Sequence, residues 1–210
     1  MTGASVTPAA AATRGRPRTF SDEVVLDTLI QLFWEQGFEA TSMSDIVAAT
    51  GLSKSSLYNT FGSKDELFET ALNRYVDHRA GIVNEVLQNG QGGLADIETL
   101  FDALLAEVLV MDDHRGCLAI NTSTELGGRD ETVVAVTARF RSIMRTGLEA
   151  TLRRAAEQGE IDAARVDSYV GVLLSFIIGM AVIVRSGAEN EEIVNQIDAA
   201  RSVVEAWRLK

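Results

Sequence analysis

Apolar residues recur at helical spacing along nearly the whole chain, and helix starts and stops punctuate them. Val25, Leu29, Leu32 and Phe33 fall on one face of a first helix. Ser21 stands at its N-cap position, Asp22 and Glu23 suit its positive end, and Phe20 with Val25 makes a hydrophobic staple. Gly37 ends it. A short second helix is predicted over 42–49, capped by Thr41 or Ser42, and Thr50-Gly51-Leu52 is a turn. Ser53 caps a third short helix over 54–60. Ser63 and Glu66 form an S-x-x-E capping box that opens a fourth, running through Leu67, Ala71, Tyr75 and Val83 to the linker "NGQGG".

Helical spacing resumes at Leu94, Ile97, Phe101, Leu104, Leu105 and Val108, and "RGCLAINTSTEL" makes another, shorter helix. A long helix covers 130–158, the stretch 163–186 is apolar almost all round, and 190–208 is amphipathic through Ile193, Ile197, Ala200, Val204 and Trp207. No stretch alternates apolar and polar residues long enough for a sheet. The expectation is an all-α chain of about nine helices. It divides into a tail at 1–13, a helix-turn-helix unit at 14–65 and a larger helical unit at 66–210.

Charge changes this picture. The net charge is −11, but residues 1–64 hold five basic and six acidic side chains, leaving fourteen basic and twenty-four acidic ones in the rest. A surface for nucleic acid therefore belongs in the first third. Two short helices joined by a Gly-containing turn are the helix-turn-helix arrangement, with Ile46, Val47, Leu52 and Leu57 as its small core. The second helix then turns Lys54, Ser55, Ser56, Tyr58, Asn59 and Thr60 outward, side chains suited to base edges and phosphates. Lys64 adds a cation at a helix N-terminus, and Arg14, Arg16 and Arg18 form an arm for a minor groove. The competing reading is a helical ligand-binding or scaffold protein whose hairpin touches no DNA.

The stretch "GRPRTFSDEVVLDTLIQLFWEQGFEATSMSDIVAATGLSKSSLYNTFGSKDELF" resembles the DNA-binding domain of the tetracycline-repressor (TetR) family over residues 14–68. The motifs that carry the resemblance are G-F-x-x-T-S, D-I-V-A-A-T-G-L-S, L-Y-x-x-F and S-K-D-E-L. It implies phosphate contacts at Thr41, Ser42, Ser53, Lys54, Tyr58 and Lys64, and base readers at Ser55, Ser56 and Asn59. Thr60 stands where the family often has His, which weakens the backbone contact implied there. The resemblance also implies a homodimer built on the last two long helices, a small-molecule effector and a palindromic operator in double-stranded DNA.

The residues speak to the dimer as well. Gly171, Ser175 and Gly179 make a small-residue stripe on which another helix can approach closely. With Phe176, Ile183, Ile197, Val204 and Trp207 they form the candidate interface, the alternative being a stripe turned to the subunit's own core. The uncharged run Tyr169 to Val184 is shorter than a membrane span needs. For the effector pocket the candidates are Phe101, Leu104, Leu105, Val108, Met111, Cys117, Leu118, Phe140, Ile143 and Met144. Asn121, Thr122, Thr124 and Arg145 supply polar groups.

Cys117 sits beside His114 and Arg115 at a predicted helix start, the surroundings of a reactive thiol, although a lone cysteine is most often an inert buried one. That single cysteine rules out an internal disulfide and fits a reducing compartment, so the expected location is cytoplasmic. "GQGGLA" follows a helix and not a strand, so it reads as a linker and not a dinucleotide loop. Asp112-Asp113-His114 reads as a solvated loop, not a metal site, and no nucleophile–base pattern stands out. Neither enzymatic activity nor a cofactor is expected.

Overall fold

A computed structural model describes residues 21–111 and 114–210, apart from the side chain of Met111. The arm Arg14, Arg16 and Arg18, the staple residue Phe20, the 1–13 tail and the pair Asp112-Asp113 lie outside the described residues.

Among the described residues nine α-helices follow one another: α1 (Asp22–Gln36), α2 (Met43–Thr50), α3 (Lys54–Phe61), α4 (Lys64–Val83), α5 (Leu94–Met111), α6 (Leu118–Glu125), α7 (Glu131–Glu157), α8 (Val166–Arg185) and α9 (Asn190–Glu205). They contain no strand, only an isolated bridge between Ile161 and Arg208. Helix starts follow local chemistry. Ser42 accepts from the Asp45 amide at 3.2 Å and donates its own amide to the Asp45 carboxylate at 2.8 Å. Ser63 and Glu66 make the same reciprocal pair at 3.2 and 2.7 Å, the capping box expected there. Both carboxyls are held below their usual range, Asp45 by the Ser42 hydroxyl and Glu66 by the Ser63 amide. Ser21 occupies the N-cap of α1 without a side-chain cap bond.

α1, α2, α3 and the start of α4 form a small head around Phe33, whose ring meets Phe68 edge-on at 4.8 Å. Leu29, Ile46, Leu57 and Leu67 close this core and are fully buried. The remaining helices make the larger body, in which α7 packs along α4 and α8. Gly147 lets α7 come close to α4, because a Cβ there would stand 3.0 Å from Val83 Cγ1.

One departure from the expected continuous fourth helix occurs next to that contact. α4 gives way to a π-helical turn, Asn84–Gln88. The Leu87 carbonyl within it accepts from Thr151 at 2.8 Å and from Arg154 at 2.5 Å, both on α7. Arg154 also reaches Asp96 at 3.1 Å, tying the turn to the start of α5. Buried backbone oxygens need such partners, and here side chains of the neighbouring helix supply them.

Candidate nucleic-acid interface and the cavity behind it

The turn between α2 and α3 is built by one glycine and two hydroxyls. Gly51 takes a left-handed backbone, φ 67°, and donates its amide to Val47 at 2.9 Å. Thr50 Oγ1 donates to the Ile46 carbonyl at 2.7 Å and accepts from the Leu52 amide at 3.3 Å. Ser53 caps α3 by accepting from the Ser56 amide at 3.2 Å. Leu57 is the one buried residue of α3 and pins it to the head. Because Leu57 points inward, Lys54, Ser55, Tyr58 and Asn59 are exposed, while Ser56 and Thr60 are half-buried.

The Ser55 and Ser56 hydroxyls lie 3.0 and 2.9 Å from Ser53 Oγ, so the three serines form one small cluster at the head of the helix. Lys54 Nζ stands 5.9 Å from the Tyr58 ring. Lys64, first residue of α4, places its ammonium 4.2 Å from the Phe38 ring, which fixes a cation beside the free amides of that helix end. Ser42 is exposed at the start of α2.

Thr41 corrects the sequence reading. Its side chain is fully buried, and its hydroxyl donates to the Gly37 carbonyl at 2.6 Å, so it braces the α1–α2 turn and is withdrawn from any phosphate. A buried threonine and a surface one look alike in sequence; the helix-ending Gly37 four residues earlier, whose carbonyl takes the Thr41 hydroxyl, was the available hint.

The head is tied to the body at the C-terminal end of α1. Arg185, the last residue of α8, donates to the Trp34 and Glu35 carbonyls at 3.3 and 3.2 Å. Glu125, the last residue of α6, accepts from the Phe38 and Glu39 amides at 3.2 and 2.8 Å. Trp34 Nε1 donates to the Arg115 carbonyl at 3.1 Å, and the Arg115 guanidinium lies 4.6 Å over the Trp34 ring and donates to Gln31. Charged caps on otherwise orphaned helix-end groups make these contacts directional.

Behind this junction lies a cavity of about 410 Å³, within the range of small-molecule sites. α4 contributes His78, Arg79, Ile82 and Val83; α5 contributes Leu100, Leu104, Glu107 and Val108. The segment 114–117 closes one side, and Phe140, Met144, Ile177 and Met180 line the floor. Of the residues expected at a pocket, Leu104, Val108, Cys117, Phe140 and Met144 do line it.

Others do not. Phe101 is fully buried against Phe176, ring centroids 5.7 Å apart. Leu105, Leu118 and Ile143 pack elsewhere in the core. Asn121 donates to the Arg115 carbonyl at 2.7 Å, Thr124 bonds back to Asn121, Thr122 is buried and Arg145 is exposed. The α4 wall stands outside the sequence candidates, which run from Phe101 to Arg145. The signal for it was Arg79, a charge in a helix face otherwise apolar.

Two charged groups dominate one end of the cavity. Arg79 donates through Nη1 to both Glu107 oxygens at 2.6 and 2.7 Å. Burial opposes the Arg79 charge, but the pull of Tyr75 and Glu107 more than restores it, and its pKa is raised. Cys117 is buried at the N-cap of α6, where its Sγ accepts from the Tyr75 hydroxyl at 3.4 Å. Burial pushes the Tyr75 pKa well up.

The segment 114–117 is itself conformationally demanding. His114 and Gly116 both have left-handed backbones, φ 54° and 65°. A Cβ on Gly116 would stand 2.5 Å from the Ala181 carbonyl oxygen, backbone that cannot swing aside. Gly116→Ala is expected to cost about 2 kcal/mol in urea unfolding, from the left-handed penalty and the enforced shift of α8 together. An unchanged midpoint would mean that the segment relaxes freely.

The candidate interface between copies divides. Gly171 and Gly179 have nothing within 4 Å of a built Cβ. Ser175 is exposed beside them, and Val172 and Val182 are 48% and 47% exposed. The stripe therefore faces outward. Phe176 and Ile183 are half-buried. Ile197 and Val204 are corrections: at 1% and 2% exposure they belong to the protomer's own core, and Ile197 lines the cavity. The apolar stripe of an amphipathic helix packs inward, so on α9 it is Val203 that is left outside. Trp207 stacks on Tyr169 at 4.1 Å.

The comparisons agree with this architecture. Residues 25–71 match the sequence profile of bacterial regulatory proteins, tetR family. The HTH-type transcriptional repressor ComR of Escherichia coli K12 is 34% identical over 188 residues, covering 86% of this chain and 87% of ComR. The regulator YezE of Bacillus subtilis 168 is 25% identical over 195 residues, 91% of this chain and all of YezE. Among solved structures, a cysteine-substituted CifR complexed with a 26-base-pair operator DNA superposes with TM-score 0.78 at 23% identity, covering 92% of this chain and 100% of that one. Reduced E. coli NemR does so with TM-score 0.68 at 20% identity, covering 86% and 94%. By this sequence match over most of its length, with a helix-turn-helix head in the matched segment, the chain belongs to the tetR family of bacterial regulatory proteins.

Proposed function

We infer that this chain is a cytoplasmic transcriptional repressor that binds a palindromic operator as a homodimer and responds to a small molecule. The observation that carries the reading is α3: an eight-residue helix pinned by Leu57, with Lys54, Ser55, Tyr58 and Asn59 turned to solvent. Lys54, Tyr58, Lys64, Ser42 and Ser53 supply phosphate contacts, and Ser55, Ser56 and Asn59 read bases. So short a reader grips few phosphates, which is why it is used twice.

The second copy sits on the outward stripe of α8. By length and composition the stretch Ala163–Arg185 passes as apolar enough to cross a membrane, yet only 33% of its most apolar window is buried inside the protomer. Another α8–α9 pair covers the remainder, and Gly171 and Gly179 admit it closely. Two readers so joined must sit about 34 Å apart, one turn of DNA. A ligand in the cavity acts on that spacing through α4, which runs from Lys64 beside the reader to the cavity wall, and through the Arg115, Arg185 and Glu125 contacts to the head.

Fragmented host DNA passed over the purified protein tests this. The expected result is enrichment of a few fragments that share an inverted repeat, lost steeply as salt rises. No enrichment at low salt would overturn the reading and favour a helical ligand-binding protein.

A further inference from the structure

We propose that Asn59 reads an adenine in each half of the operator and carries the base preference of α3, with Ser55 and Ser56 touching bases without choosing between them. This rests on the regulatory reading above and names what its reader selects.

At about 100° per residue, the positions two before and two after Leu57 both lie roughly opposite it on the helix. Leu57 is fully buried in the head, so Ser55 and Asn59 crown the outward face, one turn apart. Lys54 and Tyr58 share one flank, where the Lys54 ammonium stands 5.9 Å from the Tyr58 ring. Ser56 and Thr60 share the other flank and are half-buried. A helix laid in a major groove meets base edges along its crown and phosphates along its flanks.

Ser55 and Asn59 are not equal at that crown. The Ser55 hydroxyl lies 3.0 Å from Ser53 Oγ, inside the cluster that also holds Ser56. A hydroxyl both donates and accepts, so it meets any base edge and prefers none. The Asn59 side chain is exposed, and among the described residues its amide makes no hydrogen bond. That amide carries an acceptor and a donor side by side in one plane. Adenine presents the complement in the major groove, the N6 donor beside the N7 acceptor. Guanine presents two acceptors there, so the Asn59 carbonyl oxygen would face one of them with no proton between. Cytosine and thymine each offer one polar group, which leaves half of the amide unpaired.

No rival stands on the same face. Residues 53–61 hold no Arg, Gln, Asp or Glu, the other side chains that pair in a fixed way with guanine, adenine or cytosine. Lys54, which has the chemistry for guanine, is turned to the flank beside Tyr58.

Selection of random-sequence duplexes by the full chain, wild type beside Asn59→Ala, tests the proposal. The expected result is an inverted repeat whose half-sites share an A·T pair. Asn59→Ala should keep the repeat and lose the preference at that pair alone. In fluorescence anisotropy, 7-deazaadenine at that position removes N7 and leaves the base pair intact. It should weaken the wild type at least about fivefold and Asn59→Ala by less than about twofold. The proposal is overturned if the pair that loses its preference is G·C, if Asn59→Ala weakens all sequences alike, or if 7-deazaadenine costs the wild type nothing. A wild type that enriches no duplex at low salt would sink the regulatory reading, and this one with it. A repeat that Asn59→Ala leaves unchanged at every position would sink this reading alone.

Discussion

Lys54→Ala combined with Lys64→Ala is expected to weaken binding to every DNA sequence alike, by at least about a hundredfold near physiological salt. Each subunit loses two cations, so a dimer loses four phosphate contacts. At roughly 1 kcal/mol each, these amount to about 4 kcal/mol, on the order of a thousandfold. The dependence of log affinity on log salt should flatten by about 3.6, because each phosphate contact contributes roughly 0.9. Fluorescence anisotropy of an operator duplex and a scrambled duplex across a salt series reads both quantities. Lys64 also lies 4.2 Å from the Phe38 ring, a contact inside the head. Lys64→Met keeps the apolar cover and removes only the charge, so its effect on DNA should match that of Lys64→Ala. A slope that stays unchanged would remove both lysines from the phosphate contacts. A loss confined to one duplex would make them base readers instead.

Leu57→Ala is expected to undo the reader while leaving the body folded. Leu57 is the sole buried side chain of α3, and truncating a fully buried leucine costs about 2–5 kcal/mol. Eight residues are too few for a helix to persist without such an anchor. The cost should therefore appear as local opening of 54–61, not as global unfolding. Hydrogen exchange of the α3 amides should accelerate at least about thirtyfold, with those of α7 and α8 unchanged, and DNA affinity should vanish with α3. Uniform acceleration across the chain would show that head and body unfold as one unit. No acceleration would show that other contacts hold α3.

What could be read from the chain before folding was local. The S-x-x-E box at Ser63 and Glu66 and the turn at Gly51 depend on neighbours within four residues, and the structure keeps them, as it keeps Leu57 inward in the head core. Thr41 escaped because a hydroxyl at a helix entry serves an exposed cap or a buried brace equally well, and only the packing of Gly37 against it chooses. The π-helical turn at Asn84–Gln88 has no local signature; Thr151 and Arg154, more than sixty residues away, hold its Leu87 carbonyl. Ile197 and Val204 were legible on better grounds than those used, since the amphipathic stripe of α9 already marks them as core.

The sequence by itself determined the order of the helices and most of their starts, the composition of the reader and the concentration of acid away from it. Those properties follow from caps, periodicity and charge counts, which act over a turn or two of chain. Only the tertiary structure decided where the cavity opens and which face of α8 is left outside. A helix that is apolar almost all round fits a core on any side, so its orientation is set by what its neighbours leave room for. Likewise Arg79 and Glu107, twenty-eight residues apart, become one charged end of a cavity only when α4 and α5 pack side by side.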